Sequence, residues 1–299
     1  MRVLEVPERY NLGGTMSVIA VVKRDPTLSY TADGVWFATR TPDGPGTLNL
    51  AREAGALRAT TYGPGAEWLL DRADAIAGLR DDVSEFPSIA SRHPLIRQLA
   101  RTFDGLRFPS TGRIFHHLVP AIIGQKVSGK EAYLGYARML RHFASEPAPG
   151  PNPKLRLPPD PEAVAATPYW VFHPFGIEQK RADTLRRAAA RAASLEGSAD
   201  SAEATARLTA LPGIGVWTAA ETVRVTFGDP DAVSVGDYHI KNIVAFALTG
   251  APRGTDEHML ELLEPFAGHR GRVCQLLQAA GIAAPRYGPR MPLRSFARF

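Results

Sequence analysis

The sequence contains one cysteine, Cys274, which excludes an internal disulfide and any zinc or iron–sulfur site built on several thiolates. It has no apolar run near the roughly 18 residues that a membrane helix needs. Its first residues, MRVLEVPERY, mix Glu5, Glu8 and Arg9 with too few apolar side chains for a secretory leader. The expectation is a reducing, cytoplasmic compartment, with no membrane partner. Histidines are sparse, and His116, His117, His173 and His239 lack the spacing of a metal site, so they read as structural. From Pro285 onward there is no acidic residue, only Arg286, Arg290, Arg294 and Arg298 among charged side chains. That tail reads either as solvated chain or as a contact for a polyanion.

What is present is enough apolar chain for a substantial core: 299 residues, 44% hydrophobic and 22% charged. The charge is unevenly spread. Residues 1–88 hold 9 Lys+Arg against 12 Asp+Glu, and the remainder holds 26 against 18, which together give the overall +5. A basic C-terminal two-thirds fits a polyanion partner, or simply an Arg-rich solvated surface.

The pattern divides the chain in two. Residues 1–88 read as a small mixed α+β domain. Residues 18–23 and 34–39 are β-rich, residues 41–46 (TPDGPG) are turn chemistry, and residues 56–62 form a further strand before the helical pattern AEWLLDRADAIAGL. Residues 89–299 read as helical: HPLIRQLARTF, IFHHLVPAIIGQKVSGKEAYLGYARMLRHF, KRADTLRRAAARAASL and VWTAAETVRVTF carry apolar residues at helical spacing. Between them, residues 147–161 contain seven prolines and read as a stiff loop.

The most informative stretch is residues 211–240, LPGIGVWTAAETVRVTFGDPDAVSVGDYHI. Pro212 sits in a turn, with Gly213 and Gly215 where the backbone adopts unusual dihedrals or approaches a partner. Ile214 pins the turn. The helix that follows points free N–H groups outward, a ready place for a phosphate oxygen. The same letters also describe a tight helix–helix turn. Asp237 reads as the N-cap of a helix starting at Tyr238. Trp217 reads as core, and Glu221 as the partner of Arg224 on a solvated face.

The order LPGIG-x-W-T-A, a short apolar strand and GDYHIK resembles the helix-hairpin-helix DNA glycosylases, in particular the AlkA-type 3-methyladenine DNA glycosylase II branch. AIIGQKVSGKEA resembles that family's duplex-probing helix and loop, GIEQKRADTL its pre-hairpin helix, and LLEPFAGHRGRV its C-terminal helix region. The resemblance implies an α+β fold, with a small N-terminal sheet domain before an all-α helix-hairpin-helix core of two lobes enclosing a cleft. It implies a monofunctional hydrolase that flips alkylated purines out of damaged double-stranded DNA in base-excision repair, acting as a monomer at the nucleoid.

By the same resemblance Asp237 is catalytic, and Trp217, Glu221 and Gln278 line the base pocket. Gln125, Lys126, Gly213, Gly215, Thr218, Lys241 and Arg270 contact DNA. No cofactor is required, although the carbonyls of Leu211 and Ile214 would hold a monovalent cation, Na+ or K+. Trp217 stands where lyase relatives carry a lysine, and a Trp forms no Schiff base. Three positions depart from the pattern. Glu221 and Gln278 replace aromatic walls, and Lys126 replaces an apolar wedge, which makes Gln125 the candidate to fill the gap left by a flipped base. A non-catalytic damage-binding protein is the alternative. Cys274 lies in a helical stretch without the neighbours that activate an alkyl-accepting thiol.

Overall fold

The computed structural model describes residues 1–20, 25–143 and 147–285. Five strands and three short helices open the chain: β1 (Arg2–Glu5), α1 (Leu12–Ser17), β2 (Leu28–Thr31), β3 (Gly34–Thr41), β4 (Gly44–Glu53), β5 (Ala56–Tyr62), α2 (Ala66–Asp71) and α3 (Ala73–Ile76). The strands form one antiparallel sheet in the order β1-β5-β4-β3-β2. Alternation assigns the faces. Val35 and Phe37 lie opposite Leu50 and Leu48 and, with Leu4, Leu57, Met16, Leu69 and Ile76, build a core beneath α1, α2 and α3. Trp36 and Ala38 point the other way, onto Ala148 and Leu155. The proline-rich segment is therefore a cover for the second sheet face, which explains why β3 is buried on both sides.

The remaining chain is helical: α4 (Phe86–Ala90), α5 (Pro94–Thr102), α6 (Ile114–Ile123), α7 (Gly129–Phe143), α8 (Pro161–Ala166), α9 (Gln179–Ala190), α10 (Ala192–Glu196), α11 (Ser201–Thr209), α12 (Val216–Thr226), α13 (Ile240–Thr249), α14 (Asp256–Leu263) and α15 (Arg270–Ala279). They bury two separate cores. One joins α6 to α12 through Leu118, Ile122, Met139, Phe172, Leu185 and Val223. The other joins α4 and α5 to α13, α14 and α15 through Phe86, Ile96, Val244, Met259, Leu263 and Val273. The first lobe is thus inserted between two parts of the second. No described helix is long and apolar enough to cross a membrane.

Several elements differ from the sequence reading. Residues 18–20 turn after α1 rather than forming a strand, and residues 21–24 lie outside the described residues, as does the arginine tail from Arg286. The AEWLLDRADAIAGL pattern breaks at Arg72 into α2 and α3. The helix after Asp237 begins at Ile240, not at Tyr238.

α6 is buried along its whole length, and its polar groups are satisfied internally. The Glu196 carboxylate of α10 accepts the Ile114 and Phe115 N–H groups at 3.0 and 2.9 Å. His116 bonds Thr27 and Thr39 at 3.0 and 2.9 Å, and Thr27 in turn donates its hydroxyl to Asp25 at 2.7 Å. His116 stacks between Phe37 and His117, which seats the helical lobe on the sheet. Burial drives the imidazole of His116 well below its ordinary value and that of His117 to about 3, while burial raises the Asp25 carboxyl to about 6.

A folded carboxyl at about 6, against 3.8 unfolded, makes the native state hold its proton longer than the unfolded chain. Its stability contribution is therefore full below about pH 4 and is lost as pH rises through 6, on the order of 3 kcal/mol. Asp25→Asn should then be more stable than the wild type at pH 8 and hold no such advantage at pH 4. Denaturant unfolding of both proteins across that range measures the difference, and a pH-independent difference would contradict the assignment.

Candidate functional site

Three segments meet where the lobes join: the hairpin before α12, the loop after α6, and the irregular chain leading into α13. The hairpin starts as α11 ends. Ile214 is buried and its N–H donates to the Leu211 carbonyl at 3.0 Å, closing the turn. Gly213 has φ 95°, and a Cβ there would lie 2.3 Å from Thr184 Oγ1 on α9. Gly215 is different: with φ −105° and ψ −179° it is ordinary extended backbone, and a Cβ would meet nothing within 4 Å. It needs no special dihedral. Its missing side chain leaves the start of α12 open, and no side chain caps that end.

Two side chains hold the hairpin from outside. Arg187 of α9 donates to the Pro212 carbonyl at 3.1 Å and to Thr184 Oγ1 at 3.2 Å, and is otherwise exposed. Gln125 Nε2 donates to the Gly213 carbonyl at 3.0 Å and to Thr218 Oγ1 at 2.8 Å. Gln125 is therefore a tie between loop and hairpin. Its neighbour Lys126 is exposed, with φ 54°, the one non-glycine in the left-handed region among the described residues.

Beyond the hairpin, half-buried Trp217 faces the start of α13. Its indole N–H donates to Asp237 Oδ2 at 3.1 Å. Asp237 Oδ1 accepts the backbone N–H groups of His239 and Ile240 at 2.7 and 2.9 Å, so the carboxylate also caps α13. Gly124 lies on the other side of Trp217: a Cβ there would sit 3.5 Å from the indole Cη2. One indole thus lies between the loop after α6 and the carboxylate that precedes α13.

The other sequence-predicted residues are placed less directly. Thr218 is buried and engaged by Gln125. Glu221 pairs with Arg224 at 2.8 Å, but both side chains are only 14–15% exposed, so the face is interior rather than solvated. Gln278 is exposed at the end of α15. Gln275, one turn earlier, accepts from Arg224 at 3.1 Å and takes the inward place expected of Gln278. Lys241 is paired with Asp256 at 3.0 Å, and Arg270 is clamped on Asp231 at 2.5 Å with Glu264 nearby, so neither is a free cation.

Burial pushes the Cys274 thiol up to about 12, which leaves it protonated and unreactive near neutral pH. Among the described residues no three His, Cys, Asp or Glu side chains cluster as metal ligands.

Sequence reasoning missed Arg187, Ser234 and Gln275. Each acts across a long sequence separation or from an irregular loop, where periodicity carries no signal. Volume is also a poor guide. A cavity of about 670 Å³ lies beside Tyr10, Tyr30 and Arg52, and one of about 220 Å³ beside Arg40 and Arg113, and neither is lined by Trp217 or Asp237.

No family model and no curated protein sequence matches this chain. Solved structures do. The 3-methyladenine DNA glycosylase from Archaeoglobus fulgidus superposes with a TM-score of 0.76 over 93% of this chain and 98% of its own, at 18% identity. The 8-oxoguanine glycosylase/lyase of Clostridium acetobutylicum, solved with double-stranded DNA, gives 0.61 over 84% and 95%, at 15% identity. The 3-methyladenine DNA glycosylase of Schizosaccharomyces pombe, in complex with abasic DNA, gives 0.54 over 67% and 97%, at 18% identity.

The chain has the fold of these solved glycosylase structures. The likeness to the A. fulgidus structure spans 93% of this chain, too much to leave out the sheet or either helical lobe.

The two hairpin glycines should respond differently to alanine. Gly213→Ala meets both positive φ and Thr184, and should lose about 1–3 kcal/mol of stability. Gly215→Ala should stay within about 0.5 kcal/mol of the wild type. Thermal and denaturant unfolding of the two variants checks this, and equal losses would show that the turn is not built as described.

Proposed function

We propose that this protein is a DNA glycosylase that flips an alkylated purine out of a damaged duplex and hydrolyses its N-glycosidic bond, as a monomer, in base-excision repair. The observation that carries the reading is the Trp217–Asp237 pair directly behind the hairpin, where an indole and a carboxylate share one hydrogen bond.

The chemistry asks little of the protein. An alkylated purine already carries positive charge on its leaving group, so protonation of the base adds little. The transition state resembles an oxocarbenium ion at the sugar, as in glycoside hydrolysis. A carboxylate held beside the sugar stabilises that charge and orients or deprotonates the attacking water. Asp237 supplies it, and the donors from Trp217, His239 and Ile240 fix its rotamer in advance.

The indole π face suits a flipped cationic base, and Trp at position 217 offers no amine for a Schiff base, which favours release of the base without strand cleavage. The open start of α12 suits a phosphate oxygen, with the half-anchored Arg187 guanidinium beside it. Exposed Lys126 is the side chain on the loop that is free to enter the duplex. Where Na+ or K+ binds the hairpin, the carbonyls of Leu211 and Ile214 would hold it, the former shared with the Ile214 N–H.

One observation favours a second reading. Both oxygens of Asp237 are already hydrogen-bonded, as a purely structural cap would be, and this suits a damage-binding protein without excision. Incubation with alkylated and deaminated duplexes, followed by identification of the freed bases, separates the two. The glycosylase should release alkylpurines and leave nicks that appear only after alkali. Asp237→Asn should bind damaged duplex within about threefold of the wild type yet lose on the order of 100-fold or more in single-turnover release. Unchanged turnover in that variant would falsify the catalytic assignment.

Arg187→Ala should lower the slope of log K against log salt by about 1 on damaged and undamaged duplex alike, with no change in the rate of the saturated complex. An unaltered slope would remove Arg187 from the interface.

A further inference from the structure

The chain between α12 and α13 has no regular structure, yet it carries Asp237. Its position is therefore set by side-chain ties rather than by a strand or helix. Asp229 accepts from Ser201 at 2.5 Å, Asp231 holds Arg270, and the Gly236 N–H donates to Asp256 at 3.0 Å. These three ties anchor the ends. The middle is anchored by Ser234, whose hydroxyl donates to Glu221 Oε1.

Glu221 sits one helical turn beyond Trp217 on the same face of α12. Its second oxygen accepts from Arg224 at 2.8 Å, and Arg224 is steadied by Gln275 at 3.1 Å. From Ser234 the link passes directly to the carboxylate-bearing residue, because the Ser234 carbonyl accepts the Asp237 N–H at 3.1 Å and closes the turn. Gly236, with φ 89°, permits that reversal.

We infer that Glu221, acting through Ser234, is a positioning residue that sets Asp237 against Trp217. The inference rests on the reading of Asp237 as the catalytic carboxylate. α12 then grips Asp237 at two points one turn apart: Trp217 holds its Oδ2, and Glu221 holds its backbone through Ser234. This gives the acidic side chain at position 221 a purpose in a place where an aromatic pocket wall was expected. Glu221 has both oxygens engaged within the protein, one by Ser234 and one by Arg224. Arg224 supplies the cation that a carboxylate inside the lobe requires, since burying one without a partner would be costly.

The test uses the full chain, four single variants, the combined Ser234→Ala and Glu221→Ala variant, and Trp217→Phe for assignment. Ser234→Ala removes the tie with little change in volume. Glu221→Ala removes it from the other side. Glu221→Gln retains a hydrogen-bonding partner for both Ser234 and Arg224, since a hydroxyl accepts as well as donates. Asp237→Asn gives the reference for a lost carboxylate. Two readouts are taken: single-turnover base release from an alkylated duplex, and the indole N–H resonance of Trp217, assigned with Trp217→Phe.

Ser234→Ala and Glu221→Ala should each slow release on the order of tenfold to 100-fold with duplex affinity unchanged. The double variant should be no slower than the worse single one, and Glu221→Gln should recover most of the rate. The Trp217 resonance should move in both alanine variants and return with Gln. Wild-type release and an unmoved resonance in Ser234→Ala would overturn the inference. If the wild type releases no base at all, the glycosylase reading fails, and the resonance alone still decides whether Glu221 and Ser234 set the position of Asp237.

Discussion

The hydrogen bond from the Trp217 indole to the Asp237 carboxylate joins the two helical lobes at the point where chemistry is proposed. Trp217 belongs to α12, whose lobe core contains Ala219 and Val223, while Asp237 caps α13, which packs in the other lobe through Ile240 and Val244. A relative shift of the lobes would strain this contact, together with the Arg224–Gln275 hydrogen bond. The rest of the molecule can be understood as holding the two partners still. The buried Arg272–Asp81 pair, at 2.5 Å and about 3% exposed on each side, fastens the second lobe to the chain next to the sheet domain. Breaking such a pair leaves an uncompensated buried charge and costs about 3–5 kcal/mol.

Under the proposed reading, a single carboxylate held this way is sufficient. Fixed donors orient Asp237 before any substrate arrives, so little reorganisation is needed when charge develops at the sugar. The hairpin has a separable role. It presents backbone N–H groups, while Arg187 and Gln125 keep its carbonyls and its angle fixed. Gln125 couples the hairpin to the neighbouring loop, because it reaches from the segment that carries Lys126 to the turn that carries Gly213. Contact of the loop with DNA would be felt directly by the hairpin.

Much of this was legible in the sequence, for identifiable reasons. Residues 56–62 alternate and are flanked by turn formers, and they form β5 with those bounds. LPGIG marks the hairpin because no side chain fits at Gly213. Trp217 and Asp237 are found together, as the resemblance implied. What was not legible depends on contacts between distant segments. Nothing local shows that Gln125 reaches Thr218, that Arg270 is taken by Asp231, or that Ser234 meets Glu221. Gln275 and Gln278 lie three residues apart on one helix, and only the packing of α15 decides which faces inward. The proline-rich segment read correctly as loop, but its role as the second cover of the sheet required Trp36 to be seen beneath it.

The central claim is that Asp237 addresses the sugar of a flipped nucleotide beside Trp217. The most direct measurement is a crystal structure of the protein on a duplex carrying a cationic pyrrolidine in place of the lesion sugar, a mimic of the oxocarbenium transition state. The account predicts the ring nitrogen within hydrogen-bonding reach of the Asp237 carboxylate, the Trp217 ring facing the vacated base position, and a phosphate at the start of α12. A duplex bound with its pyrrolidine still stacked, or turned toward any other group, would contradict it.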